Sequence, residues 1–149
     1  GNIYRVLRVT PPNSSALFWI LQMRLEELQG YLTMFKLGPE DLKAVLAAID
    51  AAEQKGISDQ MQRPDAELIR REMRNTVALL RHACRRGLLL LGEDSPEIRR
   101  GLGEDLQTIL SEYRQIWLER NRPGGLADSL KRFAHLFEEY GVADIEAVG

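Results

Sequence analysis

Apolar residues recur along this chain at spacings of three and four, the period of an amphipathic helix. Ser14 or Ser15 can cap a first helix whose stripe is Leu17, Leu21, Leu25, Leu28, Leu32 and Phe35. Trp19, Ile20, Met23 and Tyr31 widen that stripe, so neighbours are expected on more than one side. Gly38-Pro39 ends this helix and opens the next, with Glu40 and Asp41 at its positive end. Leu42, Val45, Leu46, Ile49 and Ala52 form the buried face of the second helix, and Lys55-Gly56 closes it. A polar connection, 57–63, leads to a third helix that starts near Pro64-Asp65. If it runs to Leu91 it is roughly 40 Å long. Its stripe is Ile69, Met73, Val77, Leu80, Cys84, Leu88 and Leu91, and Gly92 stops it. Leu88 to Leu91 is apolar all round, so that end is expected to be enclosed or to lie against another domain.

The fourth helix has the clearest start, with Ser95 as cap, Pro96 at the first position and Glu97 behind it. Ile98, Leu102, Leu106, Ile109, Tyr113 and Trp117 mark its core face, and Gly101 and Gly103 predict a close approach near its beginning. After the breakers Asn121-Arg122-Pro123-Gly124-Gly125, a fifth helix carries Leu126, Leu130, Phe133, Phe137 and Tyr140 and ends at Gly141. Beyond the first few residues there is no alternating strand pattern. The expected fold is all-α, a bundle of about five helices, mostly up-and-down and antiparallel because its loops are short. Residues 1–13, with Pro11-Pro12, read as a lead-in from a preceding domain, 14–141 as the helical bundle and 142–149 as a tail.

Composition sharpens this only slightly. A chain of 149 residues with 44% hydrophobic and 28% charged residues has the makings of one domain with a core. A net charge of −2 gives no electrostatic pointer to nucleic acid or to an anionic membrane. The one cysteine, Cys84, excludes an internal disulfide and a multi-cysteine zinc site, and suits a reducing, cytoplasmic compartment. No apolar run is long enough to span a bilayer. The opening Gly1-Asn2-Ile3-Tyr4 has neither an initiator Met nor a signal pattern, and reads as a start within a longer protein.

Candidate chemistry is sparse. His82 and His135 lie on different helices with no second His or Cys at metal-ligand spacing, so surface or packing roles are expected. Cys84, on an apolar stripe, reads as a buried spacer. Arg70, Arg71, Arg74, Arg81, Arg85 and Arg86 crowd the third helix, and four of them share one edge. With Glu67 and Glu72 interspersed and no aromatic residues between them, ion pairs on a solvated face or with another domain are expected there. A phosphate-tracking surface is the lesser reading. The acidic residues Glu93, Asp94, Glu97, Glu104 and Asp105 are accounted for by their places near a helix start. There is no phosphate loop, nucleophile elbow or dinucleotide fingerprint, so no catalytic residue, metal ligand or cofactor is assigned.

More specific than any of these is the corner from Trp117 to Leu130. Turn chemistry alone does not require Trp117, Arg120, Arg122 and Asp128 around one break. The string Trp-Leu-x-Arg-Asn-Arg-Pro-Gly-Gly-Leu-x-Asp-Ser, from Trp117 through Ser129, resembles the C-terminal helical region of bacterial β-N-acetylhexosaminidases of glycoside hydrolase family 20. Tyr113-Arg114 before it and Leu130 after it fit the same pattern. The resemblance implies a catalytic barrel ahead of the helical part. There the substrate's own acetamido group attacks and an adjacent Asp-Glu pair orients it and supplies the acid. That dipeptide is absent from this sequence, so no catalytic residue carries over.

What the resemblance implies for this chain is a non-catalytic accessory domain. It would stabilise the barrel, help dimerise it or line the rim of the sugar site. Trp117, Arg120, Asn121, Arg122 and Asp128 are then the candidate contacts with the catalytic domain, because an arginine fork makes two bonds at once to a carboxylate. Trp117 is expected to pack where the fourth and fifth helices join. The alternative is a free-standing helical module that binds a protein partner through its grooves or basic edge.

Overall fold

A computed structural model describes residues 20–55, 66–120 and 124–145. Among the described residues there are six helices and no strand, so the fold is all-α. The helices are α1 (Leu25–Met34), α2 (Pro39–Gln54), α3 (Ala66–Leu88), α4 (Pro96–Glu119), α5 (Leu126–Lys131) and α6 (Ala134–Tyr140). The 1–13 lead-in, the Ser14 and Ser15 caps, Leu17, Trp19, Gly56, the 57–63 connection, Pro64-Asp65, Asn121, Arg122, Pro123 and residues 146–149 lie outside the described residues.

Local chemistry sets most of the helix ends. Pro39 stands at the start of α2, where the Asp41 carboxylate accepts the Gly38 N–H at 2.9 Å. At α4 the Ser95 hydroxyl accepts the Ile98 N–H at 3.1 Å and Pro96 follows it. Gly92, at φ +110°, ends the wide turn of Leu89–Glu93 that continues α3. Gly141, at φ +70°, closes α6. α1 closes on a non-glycine: Lys36 takes φ +52° while Leu37 N–H reaches back to the Leu32 carbonyl at 2.8 Å.

Long α3 is the central element, packed against both α2 and α4, with α6 on α4. Leu28, Leu32, Leu42, Leu106, Leu110, Leu136 and Phe137 are enclosed between these helices. Two glycines permit the closest approaches. A Cβ on Gly87 would sit 2.7 Å from Leu42 Cδ1, so α2 lies directly on α3 there. A Cβ on Gly103 would overlap the Val142 side chain, whereas at Gly101 the space is open.

The structure departs from the sequence pattern in three ways. The first helix is broken at Met23 and Arg24, where Arg24 is extended at ψ 151° and α1 begins afresh at Leu25. The fifth is divided at Arg132 and Phe133, which brings Leu136 into the core beside Phe137 while Phe133 is only half-buried. Residues 142–145 do not trail away: Gln107 donates to the Ala143 carbonyl at 2.7 Å and Ile145 is buried. Three positions expected in the core are exposed, Ala52 at the last turn of α2, Met73 on α3 and Ile98 in the first turn of α4. Of the four leucines that end the third helix, Leu88 and Leu89 are enclosed, and Leu90 and Leu91 are half-covered beside Leu32, Leu37 and Gly38.

Candidate functional site

Two features stand out, a surface cavity at the Trp117 corner and a buried polar cluster behind it. The cavity, about 350 Å³, lies between α3 and α4 and is lined by Glu72, Asn75, Thr76, Leu79, Tyr113, Ile116, Trp117 and Arg120. The spacing of four along α4 stacks Tyr113 and Trp117 on one face, ring centres 5.6 Å apart and tilted by 50°. Across from them the Asn75 amide donates to the Ile109 carbonyl at 3.1 Å, within the turn that faces it. A second cavity of about 240 Å³ shares Asn75, Leu79 and Tyr113 and reaches Arg132 and Phe133.

The candidate residues divide clearly. Trp117 lies at the junction as expected: its indole Cζ2 would be 3.7 Å from a Cβ on Gly125, which bends the chain into α5 at φ +85°. Its Nε1 is buried and has no hydrogen-bond partner among the described residues. Arg120 ends α4 and grips Glu72 of α3 through both carboxylate oxygens, Nη2 to Oε2 at 2.6 Å and Nε to Oε1. Its fork is therefore engaged within the chain and ties the end of α4 to α3. Asp128 is exposed on α5, and Asn121 and Arg122 lie outside the described residues. Turn by turn, α3 and α4 are further stitched by Arg71, which donates to Glu112 at 2.7 Å and to Glu119 at 2.8 Å.

The arginines of α3 do form ion pairs, but largely with this chain's own helices. Arg81 reaches across to Asp50 and Glu53 of α2, and Arg70 and Arg74 turn to Glu67. Arg86 breaks the expectation of a solvated face altogether, since it is fully enclosed. Its Nη2 donates to Glu139 Oε1 at 2.5 Å and to the Met23 carbonyl at 2.7 Å, its Nε to the Ile20 carbonyl at 3.0 Å, and its Nη1 to the Tyr140 hydroxyl at 3.3 Å. The other oxygen of Glu139 accepts the Leu25 N–H at 2.6 Å. One ion pair, its arginine fully enclosed, thus satisfies the Ile20 and Met23 carbonyls at the break before α1 and, through Glu139, the first N–H of the helix that restarts there.

One turn earlier on α3, His82 is also fully enclosed. Its Nδ1 lies 3.1 Å from Asp105 Oδ2 on α4 and its Nε2 2.9 Å from the Tyr140 hydroxyl on α6. Burial lowers the His82 pKa against the opposing pull of Asp105. The same burial pushes the Tyr140 hydroxyl up to about 12, so it keeps its proton at neutral pH. Cys84, enclosed in the core as expected, is likewise pushed up to about 12 by burial, which withholds the thiolate. Among the described residues no three His, Cys, Asp or Glu side chains gather where they could hold one metal ion, and no helix is long and apolar enough to cross a membrane.

Sequence reasoning missed the Arg86, Glu139 and His82 cluster by reading arginines as surface. A signal was present. Ala83, Cys84 and Gly87 surround His82 and Arg86 just before four leucines, and small residues beside polar ones mark a closely packed segment. No protein-family model, no curated protein and no solved structure matches this chain.

Proposed function

We propose that this chain is a non-catalytic helical accessory domain of a β-N-acetylhexosaminidase-like glycosidase, and that the Trp117 corner is the face it turns to the catalytic barrel. The observation that carries the reading is the corner itself. Its string from Trp117 through Ser129 resembles that of the glycosidase family. Beside it lies a surface cavity walled by Tyr113 and Trp117. Arg120 contributes by bracing the corner through Glu72. In this role the domain stabilises the barrel and acts on no glycan itself.

The test uses the whole enzyme and residues 1–149 separately. The whole protein should hydrolyse an aryl N-acetyl-β-glucosaminide and the 149-residue chain should not. Trp117→Phe, which removes only the indole N–H and some ring area, should lower the melting temperature of the whole enzyme more than that of the chain alone. Equal losses would show that the corner serves only the bundle. A whole protein with no such hydrolase activity would leave the second reading, a helical module that binds a protein partner. Met73, 42% exposed on the outer face of α3 beside half-exposed Ile69 and Val77, favours that one.

A further inference from the structure

The hydrogen bonds that run from Arg86 to Asp105 have a fixed direction. The Asp105 carboxylate only accepts, so His82 donates to it from Nδ1. Neutral His82 then has an acceptor at Nε2, which takes the Tyr140 O–H, and the Tyr140 oxygen in turn accepts from Arg86. Each link has its donor and its acceptor, and the chain joins α3, α4 and α6. Through Arg86 and Glu139 it also reaches the bend before α1.

We propose that this relay is a proton-operated latch: one proton added to His82 frees α6 and the bend before α1 from α3, while α2, α3 and α4 stay packed. A proton on Nε2 sets a donor against the Tyr140 O–H. Tyr140 would have to turn its hydrogen away and accept from two cations at once, in a site where it is 4% exposed and His82 is not exposed at all. The elements around His82 do not absorb that charge. On α3, Arg85 and Arg86 oppose it. On α4, Asp105 favours it, but less than burial disfavours it. On α6, Glu139 is already committed to Arg86 and to the Leu25 N–H, and the bend offers Arg86 only the Ile20 and Met23 carbonyls. His135, also on α6, is held low by burial and by Arg86, with Arg24 opposing its protonation and Glu139 favouring it.

The sign follows from these environments. The latched state holds the His82 pKa below its ordinary value, so the released state binds the proton more readily. Latching is therefore complete above about pH 6.5 and weakens as the pH falls below it. The hydrogen bonds of His82 run to α4 and α6, so α2 and α5 are not carried by the relay.

Hydrogen exchange of the 149-residue chain, expressed as protection factors at pH 7 and pH 5, tests this. Amides of Ala134–Tyr140 and of the first turn of α1 should lose protection, by up to about 25-fold, the limit set by an imidazole of ordinary pKa in the released state, while those of α3 and α4 hold. His82→Gln supplies an N–H to Asp105 and an oxygen to Tyr140 but does not titrate, and should abolish that difference. His135→Gln should leave most of it, because His135 is only half-buried. If the Gln variant fails to fold, imidazole ¹⁵N spectra of the unaltered chain decide, with His82 expected to keep the neutral Nδ1–H form to a pH below its ordinary value wherever α6 is still docked. The latch is overturned if all helices lose protection together, if His82→Gln keeps the pH-dependent loss, if His135→Gln removes it, or if His82 titrates near 6.5 with α6 still protected.

Discussion

The Arg86 guanidinium and the Glu139 carboxylate meet at 2.5 Å, one fully enclosed and the other partly buried, at the point where the chain breaks before α1. The pair lies 53 residues apart in sequence and holds three separate segments. Removing one partner should therefore cost far more than a surface bridge. Arg86→Met, which keeps much of the volume, leaves Glu139 without its cation and two carbonyls without a donor, and should destabilise by about 3–5 kcal/mol. Urea unfolding followed by circular dichroism measures this, and a loss below 1 kcal/mol would show that the cluster is dispensable.

By contrast, the Arg120 and Glu72 pair is about one-third exposed on both sides, so solvent screens it. Glu72→Gln should cost no more than about 1 kcal/mol, and less at high salt. Denaturation midpoints at low and at high ionic strength provide the comparison.

Gly103 faces Val142 with no room for a methyl group. Gly103→Ala should destabilise by about 1–3 kcal/mol despite the better helix propensity of alanine. Adding Val142→Ala should recover part of the loss, and a double-mutant cycle measures how much. At Gly101, where the space is open, the same substitution should stabilise.

Lys36 occupies a left-handed conformation that costs an L-residue about 1 kcal/mol or more. Lys36→Gly should raise the melting temperature, because the turn that closes α1 is kept and the strain is removed. A fall in the melting temperature would show that the lysine side chain supplies something the turn does not.

Cys84 should not react with a thiol reagent while the chain is folded, and should react at once in denaturant. Its burial and raised pKa leave almost no thiolate at pH 8. Fast labelling of the native chain would mean that α3 opens locally around it.

How much of this was legible depended on the range of the interaction. Pro39, Ser95, Pro96, Gly92 and Gly141 act on their own few residues, and every helix end they mark lies where the sequence put it. The break at Met23 and Arg24 has no proline or glycine to announce it. It is sustained by Arg86 and Glu139, which are remote in sequence. Ile98 and Met73 kept the apolar period yet are exposed, since a stripe indicates a face and not whether a neighbour reaches it. Within the candidate site, the packing of Trp117 at the helix junction followed from its phase on α4. The commitment of Arg120 to Glu72 needed the register of α3 against α4, which no local pattern encodes.

The bond from Leu25 to Glu139 closes a loop of 114 residues. A chain leaving a ribosome makes α1 long before the carboxylate that caps it exists. Until residue 139 has emerged, the start of α1 is uncapped and the carbonyls before it have only water or a half-enclosed Arg86. Closing so long a loop is entropically slow. The helices α2, α3 and α4 can assemble from neighbours as they appear, whereas the N-terminal bend must wait for the far end of the bundle. Any truncation that removes α6 should therefore be felt first at the opposite end of the sequence.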